Sequence, residues 1–387
     1  MSRLPPLVMH VVFRFDVGGL ENGVVNLINR MPAEDFRHAV VALTECAPDF
    51  VRRIARPGVA CFSLHKAPGH GVKLYPQLYR LFREQRPAVV HTRNLAALEA
   101  VVPARAAGVP VCIHGEHGWD VSDPFGLRRK YRMIRRLYSP FVGRYVALSG
   151  DIESYLRDRV GIAGARIERI CNGVDTARFR PAAPGERLPD SPFGSAGLIR
   201  IGTVGRLQTV KDQLNLVRAF ALARQMGAAG AALRLVIAGD GPLRAALEDE
   251  IRAAGIGDVV WLAGERGDVP AVMRALDLFV LPSRAEGISN TILEAMASAL
   301  PVVATAVGGN AELVVAGATG ALVPPADPAA LARALHAYAE DVAMRHAHGL
   351  AGRRRAEADF SLDGMVDRYA AMYRSELGAR APARLSA

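Results

Sequence analysis

The sequence predicts an α/β protein built from two similar halves, each with a doubly wound parallel sheet. Short apolar runs of strand length alternate with segments of helical period, first over residues 7–149 and again over 198–309. That alternation is typical of parallel sheets, whose neighbouring strands are joined by crossover helices. Residues 181–197 are rich in Pro, Gly and Ser, which indicates a linker. We therefore predict one domain at 1–180 and a second at 198–361.

Each predicted element follows from its local pattern. Continuous apolar runs between turn residues predict strands, at 7–15, 38–44, 88–94, 109–115, 144–149, 198–207, 233–241, 259–264, 276–283 and 301–309. Apolar residues at helical spacing predict helices, at 20–31, 212–226, 242–255, 269–276 and 290–299. A last helical segment, at about 362–380, is expected to pack back on the first domain. Open parallel sheets bind ligands at the carboxyl ends of their strands, so we expect the site in the cleft between the halves.

The composition is typical of a globular cytosolic protein. Hydrophobic residues make up 50% and charged residues 22% of the 387 residues, which excludes a disordered chain. The four cysteines lack CxxC spacing and a histidine cluster, so we expect reduced thiols and neither a zinc site nor a disulfide framework. The first residues lack the long apolar core of a signal peptide. Pro301 and Gly308 interrupt the apolar run 295–311, so no membrane span is predicted.

The net charge of +10 comes from the first half of the chain. Residues 1–180 hold 27 Lys and Arg against 16 Asp and Glu, a balance of +11, whereas residues 181–387 hold 21 against 22, a balance of −1. This asymmetry indicates an anionic partner for the first half, such as a membrane surface, a phosphorylated substrate or nucleic acid. A solubilising surface bias is the alternative. Nucleic acid is the least favoured partner, because aromatic residues make up only 6% and the second half is near neutral.

The stretch LPSRAEGISNTILEAMA follows a predicted strand and contains Glu286 and Glu294 with seven residues between them. Ser289, Asn290 and Thr291 begin the predicted helix, whose free N–H groups and positive end would hold a phosphate. One alternative is a capping box, in which the Glu294 carboxylate only bonds the backbone before Thr291. That alternative leaves Glu286 unexplained, since Glu286 lies in the loop before the helix.

The stretch GTVGRLQTVKD places Arg206 and Lys211 just after the first strand of the same half. Two cations at the carboxyl end of a strand suit a diphosphate, although solvated loop charges are the alternative. Together with the helix start and the two carboxylates, they predict a nucleotide diphosphate site. The cations and amides would bind the phosphates, and a carboxylate would accept hydrogen bonds from two vicinal hydroxyls.

Two stretches of the first half also end strands. FRFDVGGLENG places Gly18 and Gly19 before a helix, where the backbone can approach a ligand closely and the helix end favours anions. IHGEHGWD places His117 where it would orient a sugar or phosphate, with a structural role as the alternative. In the second half, AGDGPLRAAL is only a partial dinucleotide fingerprint, because Pro242 follows its second glycine and Arg244 stands at the third glycine position. We therefore predict no nicotinamide cofactor.

The stretch LRRKYRMIRRLY, residues 127–138, predicts a basic amphipathic helix. On a helical wheel, Leu127, Tyr131, Ile134 and Tyr138 form one stripe. The other side carries five arginines, namely Arg128, Arg129, Arg132, Arg135 and Arg136. At about 1 kcal/mol per basic residue near an anionic leaflet, such a face would hold a protein loosely at a membrane. An ordinary helix with a solvated basic face is the alternative.

Taken together, these motifs resemble those of one enzyme family. The chain is similar to family 4 retaining glycosyltransferases, the glycosyl transferases group 1 type, which have the GT-B fold of two Rossmann-like domains facing across a cleft. The resemblance runs over nearly the whole chain. The matching stretches are GGLENGVVNLI, VALS, NGVDTARFRP, GRLQTVKD, LVIAGDGPLR, LDLFVLPSRAEGISNTILEAMASALPVVATAVGGNAELV and GATGALVPPADPAAL. The spacing of Glu286 and Glu294 in this context is highly specific.

The resemblance implies a role for each matched residue. Arg206 and Lys211 would bind the donor diphosphate and stabilise the leaving group, and Glu286 would contact the hydroxyls of the transferred sugar. Glu294 would bind the ribose hydroxyls, and His117 would face the sugar. The other donor contacts would come from Gly18, Gly19, Ser289, Asn290 and Thr291.

The chain differs from many family members after Gly287. Those members have an aromatic residue there, or Phe followed by Pro, whereas this chain has Ile288 and Ser289. The difference bears on which sugar is bound and not on the nucleotide. No DxD triad occurs, so we expect no metal cofactor, with protein cations and the helix start replacing it electrostatically. The resemblance also implies retention of anomeric configuration, and we expect same-face attack in which the leaving phosphate helps to deprotonate the acceptor.

We therefore expect a hexosyltransferase that uses a nucleotide sugar, with UDP favoured over GDP. The acceptor would be a glycan or a polyprenyl-diphosphate-linked chain in exopolysaccharide or cell-envelope polysaccharide synthesis. The protein would be cytoplasmic and peripheral on the inner face of the plasma membrane, bound to an anionic membrane surface, without a nucleic acid partner. A nucleotide-sugar or glycan-binding protein without turnover is the alternative, although Arg206, Lys211, Glu286 and Glu294 argue against it.

Overall fold

The chain folds into two compact units. The computed structural model describes residues 4–69, 71–119, 123, 126–186, 188, 190–194 and 197–379. The first unit runs to Gly173 and takes up the chain again from Leu362, and the second unit comprises Val174–Ser361. Each unit contains one parallel sheet covered by helices.

The first unit contains a seven-stranded parallel sheet with the strand order β3-β2-β1-β4-β5-β6-β7. Its strands are β1 Leu7–Val12, β2 Arg37–Ala42, β3 Ala60–Ser63, β4 Val89–Arg93, β5 Val111–Glu116, β6 Arg144–Ala147 and β7 Ile167–Arg169. The helices before the second unit are α1 Gly19–Arg30, α2 Pro48–Val51, α3 Tyr75–Gln85, α4 Asn94–Leu98, α5 Val101–Ala106, α6 Arg129–Tyr138 and α7 Gly150–Ser154, which continues as a π-helix at Tyr155–Val160. β1 lies between β2 and β4, and such a reversal of strand order is where open parallel sheets bind ligands.

The second unit contains a six-stranded parallel sheet with the strand order β10-β9-β8-β11-β12-β13. Its strands are β8 Ile199–Val204, β9 Leu233–Ala238, β10 Val260–Gly264, β11 Leu278–Leu281, β12 Val302–Thr305 and β13 Gly320–Val323. Its helices are α8 Gln213–Arg224, α9 Gly227–Ala231, α10 Arg244–Ala253, α11 Val269–Arg274, α12 Asn290–Ala297, α13 Asn310–Leu313, α14 Pro328–Glu340 and α15 Val342–Asp359. The reversal of strand order here lies between β8 and β11.

The last helix, α16 (Leu362–Gly378), belongs to the core of the first unit. Tyr369 and Tyr373 on α16 are buried in one cluster with Val8, Val89 and Val111 from three strands of the first sheet. The residues that follow 379, including the end of the segment predicted at 362–380, lie outside the described part of the chain. The first core is therefore completed by a helix that follows the second unit in sequence.

The second unit begins earlier than the predicted boundary. Val174 donates its N–H to the carbonyl of Phe360 at 2.9 Å, which places residues 174–180 in the second unit and not in the first. The predicted linker 181–197, apart from residues 187, 189, 195 and 196 outside the described part, also packs on that unit. Leu188 is buried in a cluster with Ala238 and Val272. Apolar side chains within this Pro-rich segment find partners on the sheet, which its composition could not indicate.

Every predicted strand overlaps an observed one, and the prediction of two doubly wound parallel sheets is confirmed. Three strands were not predicted, namely β3, β7 and β13, and all of them lie at sheet edges. Edge strands are short and partly exposed, so they lack the continuous apolar run that marks an interior parallel strand. Helices α14 and α15 were also not predicted. Among the described residues, no helix combines the length and the apolar character needed to cross a bilayer.

Candidate active site

The loop after β8 and the loop after β11 meet at the side chain of Glu286. The ammonium of Lys211 lies 2.6 Å from Oε1 of Glu286, and the hydroxyl of Ser283 donates to the same oxygen at 2.6 Å. Ser283 is fully buried and Glu286 is largely shielded from solvent. Within the described residues, Oε2 of Glu286 makes no hydrogen bond. The carboxylate is therefore held by one oxygen and offers the other to a substrate hydroxyl.

An ion pair holds the two loops together. Nε of Arg284 donates to Oδ2 of Asp212 at 2.8 Å, and the backbone N–H of Arg284 donates to the carbonyl of Val210 at 2.8 Å. Asp212 is buried and has a left-handed φ of 49°, which ends the turn that carries Lys211. The position of the ammonium is thus fixed by the backbone. Asp212 and Arg284 were not predicted as site residues, because no local pattern connects residues so far apart in the chain.

Arg206 lies on the same loop as Lys211 but is exposed. Its carbonyl accepts a hydrogen bond from Nε2 of Gln213 at 3.1 Å, which fixes the backbone beside it. Among the described residues, the guanidinium has no hydrogen bond or ion pair. Arg206 is therefore a cation that is available to an anion at this edge of the second sheet.

The glycines of AGDGPLRAAL pack one loop against another. A Cβ on Gly239 would overlap the carbonyl oxygen of Gly205, and a Cβ on Gly241 would lie 2.6 Å from the carbonyl oxygen of Leu207. Both glycines have positive φ, at 141° and 155°. Leu207 donates to the carbonyl of Asp240 at 2.9 Å. The partial fingerprint is thus explained by close backbone approach to the loop that carries Arg206.

Two further glycines support the loop of Glu286 from behind, and sequence analysis assigned them no role. A Cβ on Gly308 would overlap the carbonyl oxygen of Glu286, and a Cβ on Gly309 would overlap that of Gly287. The N–H of Gly309 donates to Gly287 at 2.9 Å. The signal that could have found them is the Gly-Gly pair at the end of the predicted strand 301–309.

Helix α12 begins differently from the capping-box alternative. Ser289 is the N-cap, and its hydroxyl accepts from the N–H of Ile292. Thr291 lies in the first turn, with its hydroxyl 3.0 Å from that of Ser289. The capping box of Thr291 and Glu294 is therefore wrong, because the helix starts two residues earlier. Asn290 is the first helical residue, so Ser289, Asn290 and Thr291 do surround the helix start as predicted.

The carboxylate of Glu294 serves no capping role and is half-buried. Burial raises the pKa of Glu294 to about 7, and the positive charge of Arg178 opposes that shift. Arg178 belongs to a turn in which Asp175 accepts its N–H at 2.9 Å. Arg353 donates to the carbonyl of Phe179 in the same turn at 2.7 Å, which anchors it. Arg178 lies in NGVDTARFRP, one of the stretches that carry the family resemblance, but no role was predicted for it.

In the first unit, Gly18 and Gly19 lie at the start of α1 as predicted. Gly18 is the N-cap and has an extended backbone, with φ −169° and no side-chain cap. A Cβ on Gly18 would overlap Oε2 of Glu21. A side chain at this position would require the Glu21 carboxylate to move, and the first N–H groups of α1 have no side-chain acceptor from the N-cap.

His117 follows β5, and its imidazole lies over Gly115. The backbone N–H of His117 donates to Oδ1 of Asn94 at 2.7 Å, and a Cβ on Gly115 would lie 2.6 Å from Nε2 of His117. Burial, followed by the positive charge of Arg93, lowers the pKa of His117 to about 3. The imidazole is therefore neutral near pH 7. A neutral ring suits a sugar hydroxyl better than a phosphate.

The prediction that Arg135 lies on the exposed basic face of α6 is wrong. Arg135 is buried, and its Nε and Nη2 donate to Oε1 and Oε2 of Glu116 at 2.5 and 3.1 Å. Nε2 of His114 also lies 3.2 Å from Oε1 of Glu116. Burial alone would raise the pKa of Glu116, but the charge of Arg135 and the hydrogen bonds from His114 and Arg135 outweigh it and lower that pKa to about 2. Because a buried carboxylate needs a cation, the helix turns Arg135 inwards.

The rest of α6 presents a mixed apolar and basic surface. Leu127, predicted on the apolar stripe, is 62% exposed, and Met133 and Leu137 are 60% and 68% exposed. Arg128 is the N-cap of the helix, Arg129 is exposed and Arg132 is half-buried. Arg136 donates to the carbonyl of Val160 at 2.9 Å. A groove of about 930 Å³ runs along this surface, lined by Arg129, Lys130, Arg132, Met133, Ile134, Arg136, Leu137 and Arg159.

Family models match both units. Residues 199–341 match the model of glycosyl transferases group 1, and residues 17–178 match the model of glycosyltransferase family 4. The chain belongs to the glycosyltransferase family that these two models describe. This confirms the resemblance that the motifs indicated and the prediction that the protein is an enzyme of the transferase class.

Curated relatives of this glycosyltransferase are bacterial glycosyltransferases. The lipopolysaccharide core biosynthesis mannosyltransferase LpcC of Rhizobium leguminosarum is 36% identical over 211 residues, which are 54% of this chain and 60% of LpcC, less than two thirds of its length. The putative glycosyltransferase EpsF of Bacillus subtilis is 27% identical over 76% of this chain and 78% of EpsF. The UDP-Gal:alpha-D-GlcNAc-diphosphoundecaprenol alpha-1,3-galactosyltransferase of Escherichia coli is 26% identical over 78% of this chain and 80% of that enzyme.

Solved structures share the fold. HepE of Anabaena in complex with UDP and glucose superimposes with a TM-score of 0.82 at 20% identity, over 96% of this chain and 100% of HepE. Sucrose-phosphate synthase of Thermosynechococcus elongatus gives a TM-score of 0.80 at 23% identity, over 97% of this chain and 100% of the synthase. The glycosyltransferase thus has the GT-B fold that the resemblance implied.

Proposed function

We propose that this glycosyltransferase moves a hexose from a nucleotide diphosphate sugar, with UDP preferred over GDP, to a glycan or polyprenyl-diphosphate-linked acceptor in cell-envelope or exopolysaccharide synthesis. The observation that carries the proposal is the grouping of Lys211, Ser283 and Glu286, with the exposed cation of Arg206 on the same loop as Lys211. Its parts match the two ends of such a donor. The cations suit the diphosphate, and the free oxygen of Glu286 suits a sugar hydroxyl.

The donor diphosphate would bind between Arg206, Lys211 and the start of α12. An ammonium has three N–H donors, so Lys211 keeps two for phosphate oxygens while it holds Glu286. The first N–H groups of α12 add partial positive charge. Charge that develops on the leaving diphosphate would therefore meet donors whose positions the fold already fixes, which is the usual source of a large rate effect.

Glu294 would accept the ribose hydroxyls, and Glu286 would accept a hydroxyl of the hexose. His117 and the α1 start at Gly18 and Gly19 would contribute from the first unit. The departure at Ile288 and Ser289 favours a change in the sugar that is accepted, since Ser289 is occupied as the N-cap of α12. A panel of UDP-hexoses tests this assignment directly.

We propose retention through same-face attack. The bond between the anomeric carbon and the diphosphate oxygen breaks as the acceptor oxygen bonds the same face of that carbon. The acceptor proton passes to an oxygen of the leaving diphosphate, so no protein base is consumed. Proton NMR of the fresh product should show the anomeric configuration of the donor. A glycosyl adduct on Glu286, trapped with a slow substrate and found by mass spectrometry, would instead show a covalent path.

We also propose that transfer needs no divalent cation, because Arg206 and Lys211 supply the positive charge that a metal supplies in other transferases. Turnover of the intact protein in excess EDTA should equal turnover with added Mg²⁺ or Mn²⁺. A loss of activity in EDTA that either ion restores would show that a metal takes part.

The printed names of the related proteins support UDP and a lipid-linked acceptor. HepE was solved with UDP and glucose, and the Escherichia coli relative is named for UDP-Gal and a diphosphoundecaprenol acceptor. LpcC is named a mannosyltransferase, which keeps GDP as the nucleotide to be tested beside UDP.

Thermal unfolding with UDP, GDP, ADP and NAD tests the nucleotide first. Each nucleotide at about a hundred times its dissociation constant should stabilise the protein by roughly 2.7 kcal/mol if it binds. We expect a shift with UDP, a smaller one with GDP and none with NAD. Absence of any shift, together with absence of transfer from a UDP-hexose panel to undecaprenyl-diphosphate-linked acceptors, would contradict the proposal.

We further propose that the groove beside α6 rests on an anionic membrane surface. Five cations line the groove, and Met133 and Leu137 are exposed beside them. Basic residues attract anionic headgroups, and exposed apolar side chains can enter the interface. This arrangement differs from the predicted five-arginine face, since Arg135 is buried and Lys130 and Arg159 take part.

Sedimentation with vesicles tests the membrane proposal. The protein should bind vesicles of phosphatidylcholine with about a third phosphatidylglycerol, in a salt-dependent way, and not vesicles of phosphatidylcholine alone. The charge reversals Lys130→Glu and Arg159→Glu together should release it. Arg252→Glu, an exposed arginine of the second unit, is the matched control and should bind as before. Equal binding by all variants would contradict the role of the groove.

A further inference from the structure

Two of the cysteines lie together at an edge of the first sheet, away from the residues discussed above. Cys61 is in β3, the edge strand, and Cys46 lies in the loop after β2. Both are half-buried, whereas Cys112 in β5 is fully buried. The pair was expected to be two ordinary reduced thiols, because no CxxC spacing connects them.

Backbone and side-chain contacts hold Cys46 over Cys61. The N–H of Cys46 donates to Oγ of Ser63 at 2.9 Å, and Sγ of Cys46 lies 3.6 Å from the carbonyl oxygen of Phe62. Alternate residues of a strand share a face, so Cys61 and Ser63 point to the same side. Cys46 therefore lies over the face that carries Cys61, and both cysteines pack against the same apolar cluster.

The contact makes the two thiols chemically different. The neighbouring thiol of Cys61, together with Ser63, lowers the pKa of Cys46 to about 7, and the neighbouring thiol of Cys46 raises the pKa of Cys61. The lowered pKa increases the thiolate fraction of Cys46, and the thiolate is the form that attacks disulfides. Cys61 lies beside it as the group that could resolve a mixed disulfide.

We propose that Cys46 and Cys61 form a redox-active dithiol that a low-molecular-weight disulfide, such as oxidised glutathione, closes to a protein disulfide. The Cys46 thiolate attacks one sulfur of the oxidant and releases a first small thiolate. Cys61 loses its proton and attacks Sγ of Cys46, which releases the second. The protein loses two electrons and the thiol protons, and the oxidant gains both as two thiols. This proposal does not depend on the donor or acceptor of the transferase.

The disulfide would stiffen the backbone that leads to Gly18. Phe15 forms a parallel bridge with Cys46, in which Phe15 donates to the carbonyl of Glu45 at 2.9 Å and accepts from Ala47 at 2.9 Å. A covalent bond from Cys46 to the edge strand therefore also anchors the strand end that precedes the α1 loop. We expect slower amide hydrogen exchange at residues 15–18 and 44–47 in the oxidised protein.

The test is oxidation of the full chain with a graded ratio of oxidised to reduced glutathione. The thiol count of the native-folded protein, measured after unfolding, should fall from four to two. Trypsin should release one linked peptide pair that joins Cys46 to Cys61, since Arg52 and Arg53 separate them in the chain. Dithiothreitol should restore four thiols, and circular dichroism should be unchanged throughout.

Variants identify the roles of the two thiols. In Cys61→Ser, oxidation should stop at a glutathione adduct on Cys46. Cys46→Ser should take up almost no glutathione. Cys112→Ser is the matched control and should still form the linked pair. Four free thiols at every glutathione ratio, or a linked pair that includes Cys112 or Cys171, would overturn the proposal. So would peroxide treatment that drives Cys46 to the sulfinic acid without any linked peptide.

Discussion

Lys211 and Ser283 share one oxygen of Glu286, since the ammonium and the hydroxyl each lie 2.6 Å from Oε1. Lys211 comes from the loop after β8, and Ser283 comes from the end of β11, the two strands between which the order of the second sheet reverses. One carboxylate is thus oriented by both sides of the ligand-binding edge. In the proposed function, Lys211 connects the diphosphate and the sugar ends of the donor.

Removal of either member of the Lys211–Glu286 pair should abolish transfer and leave the protein folded. Lys211→Ala removes a cation from the leaving group, and Glu286→Ala removes the sugar contact, so we expect each to lower kcat by about a hundredfold or more. Steady-state kinetics with circular dichroism would measure this. Arg218→Ala, which breaks an exposed ion pair with Glu250 in the same unit, is the control and should keep full activity. Near-normal turnover in both active-site variants would favour a binding protein without turnover.

Ser283→Ala should lower kcat more than it weakens nucleotide binding. The variant removes one of two bonds to Oε1 of Glu286 and touches neither Arg206 nor Lys211, so the carboxylate should lose its fixed orientation. We expect a roughly tenfold fall in kcat, in line with the loss of about 1.4 kcal/mol, and an unchanged dissociation constant for UDP. Thr319→Ala, which removes another buried hydroxyl of the second unit, one that accepts from the N–H of Val315 at 2.9 Å, is the control. Equal effects of both variants would indicate a general loss of packing.

Nucleotide binding should strengthen as the pH rises through about 7. Burial raises the pKa of Glu294 to about 7, and the carboxylate form accepts two hydroxyls better than the protonated form does. Titration calorimetry with UDP between pH 5.5 and 8.5 should show this rise, and Glu294→Gln should remove it. Arg178→Ala should move the midpoint to higher pH, because the Arg178 charge opposes the shift. A flat profile in the unmodified protein would show that Glu294 does not meet the ribose.

The first unit should lose stability as the pH falls below about 6.5. Burial lowers the pKa of His38 and His117 to about 3, and it lowers the pKa of His10 and His91 well below the usual value. The unfolded chain then binds protons that the folded unit does not, so stability is complete above the unfolded pKa and falls below it by up to about 1.4 kcal/mol per pH unit for each histidine.

Fluorescence can separate the two units, because Trp119 lies in the first and Trp261 in the second. In Trp261→Phe, the remaining Trp119 reports the first unit. The free energy of unfolding measured in urea should fall steeply for this variant between pH 6.5 and 5. Trp119→Phe, which reports the second unit, should show no such loss. An equal pH dependence of the unfolding free energy in both variants would contradict the assignment of this effect to the buried histidines.

Gly239→Ala should destabilise the second unit and displace the loop of Arg206. A Cβ there would overlap the carbonyl oxygen of Gly205, and the φ of 141° is strained for any residue but glycine. We expect a loss of about 2 to 3 kcal/mol in unfolding free energy, together with weaker UDP binding. Gly267→Ala is the control, since a Cβ at Gly267 meets no atom within 4 Å. Denaturant unfolding should give a lower unfolding free energy for Gly239→Ala than for Gly267→Ala.

The fold class could be predicted from local patterns alone. Interior parallel strands are buried on both faces, so they leave continuous apolar runs that the chain repeats in each half. The family could be predicted for a related reason, because Arg206, Lys211, Glu286 and Glu294 lie in short stretches whose residue spacing is itself informative. The edge strands β3, β7 and β13 lacked such a signal, as did the true start of the second unit at Val174.

Only the tertiary structure decided which charges pair and which stay free. A helical wheel gave Arg135 the same exposed face as Arg129, but the buried carboxylate of Glu116 required a cation and drew Arg135 inwards. Spacing likewise left Glu294 as a capping residue or a ligand contact, and the observed cap at Ser289 removed the first choice. Lys211 meets Glu286 across 75 residues of chain. Apolar periodicity depends only on neighbouring residues in the sequence. The desolvation of a charge depends on partners that only the folded chain brings together.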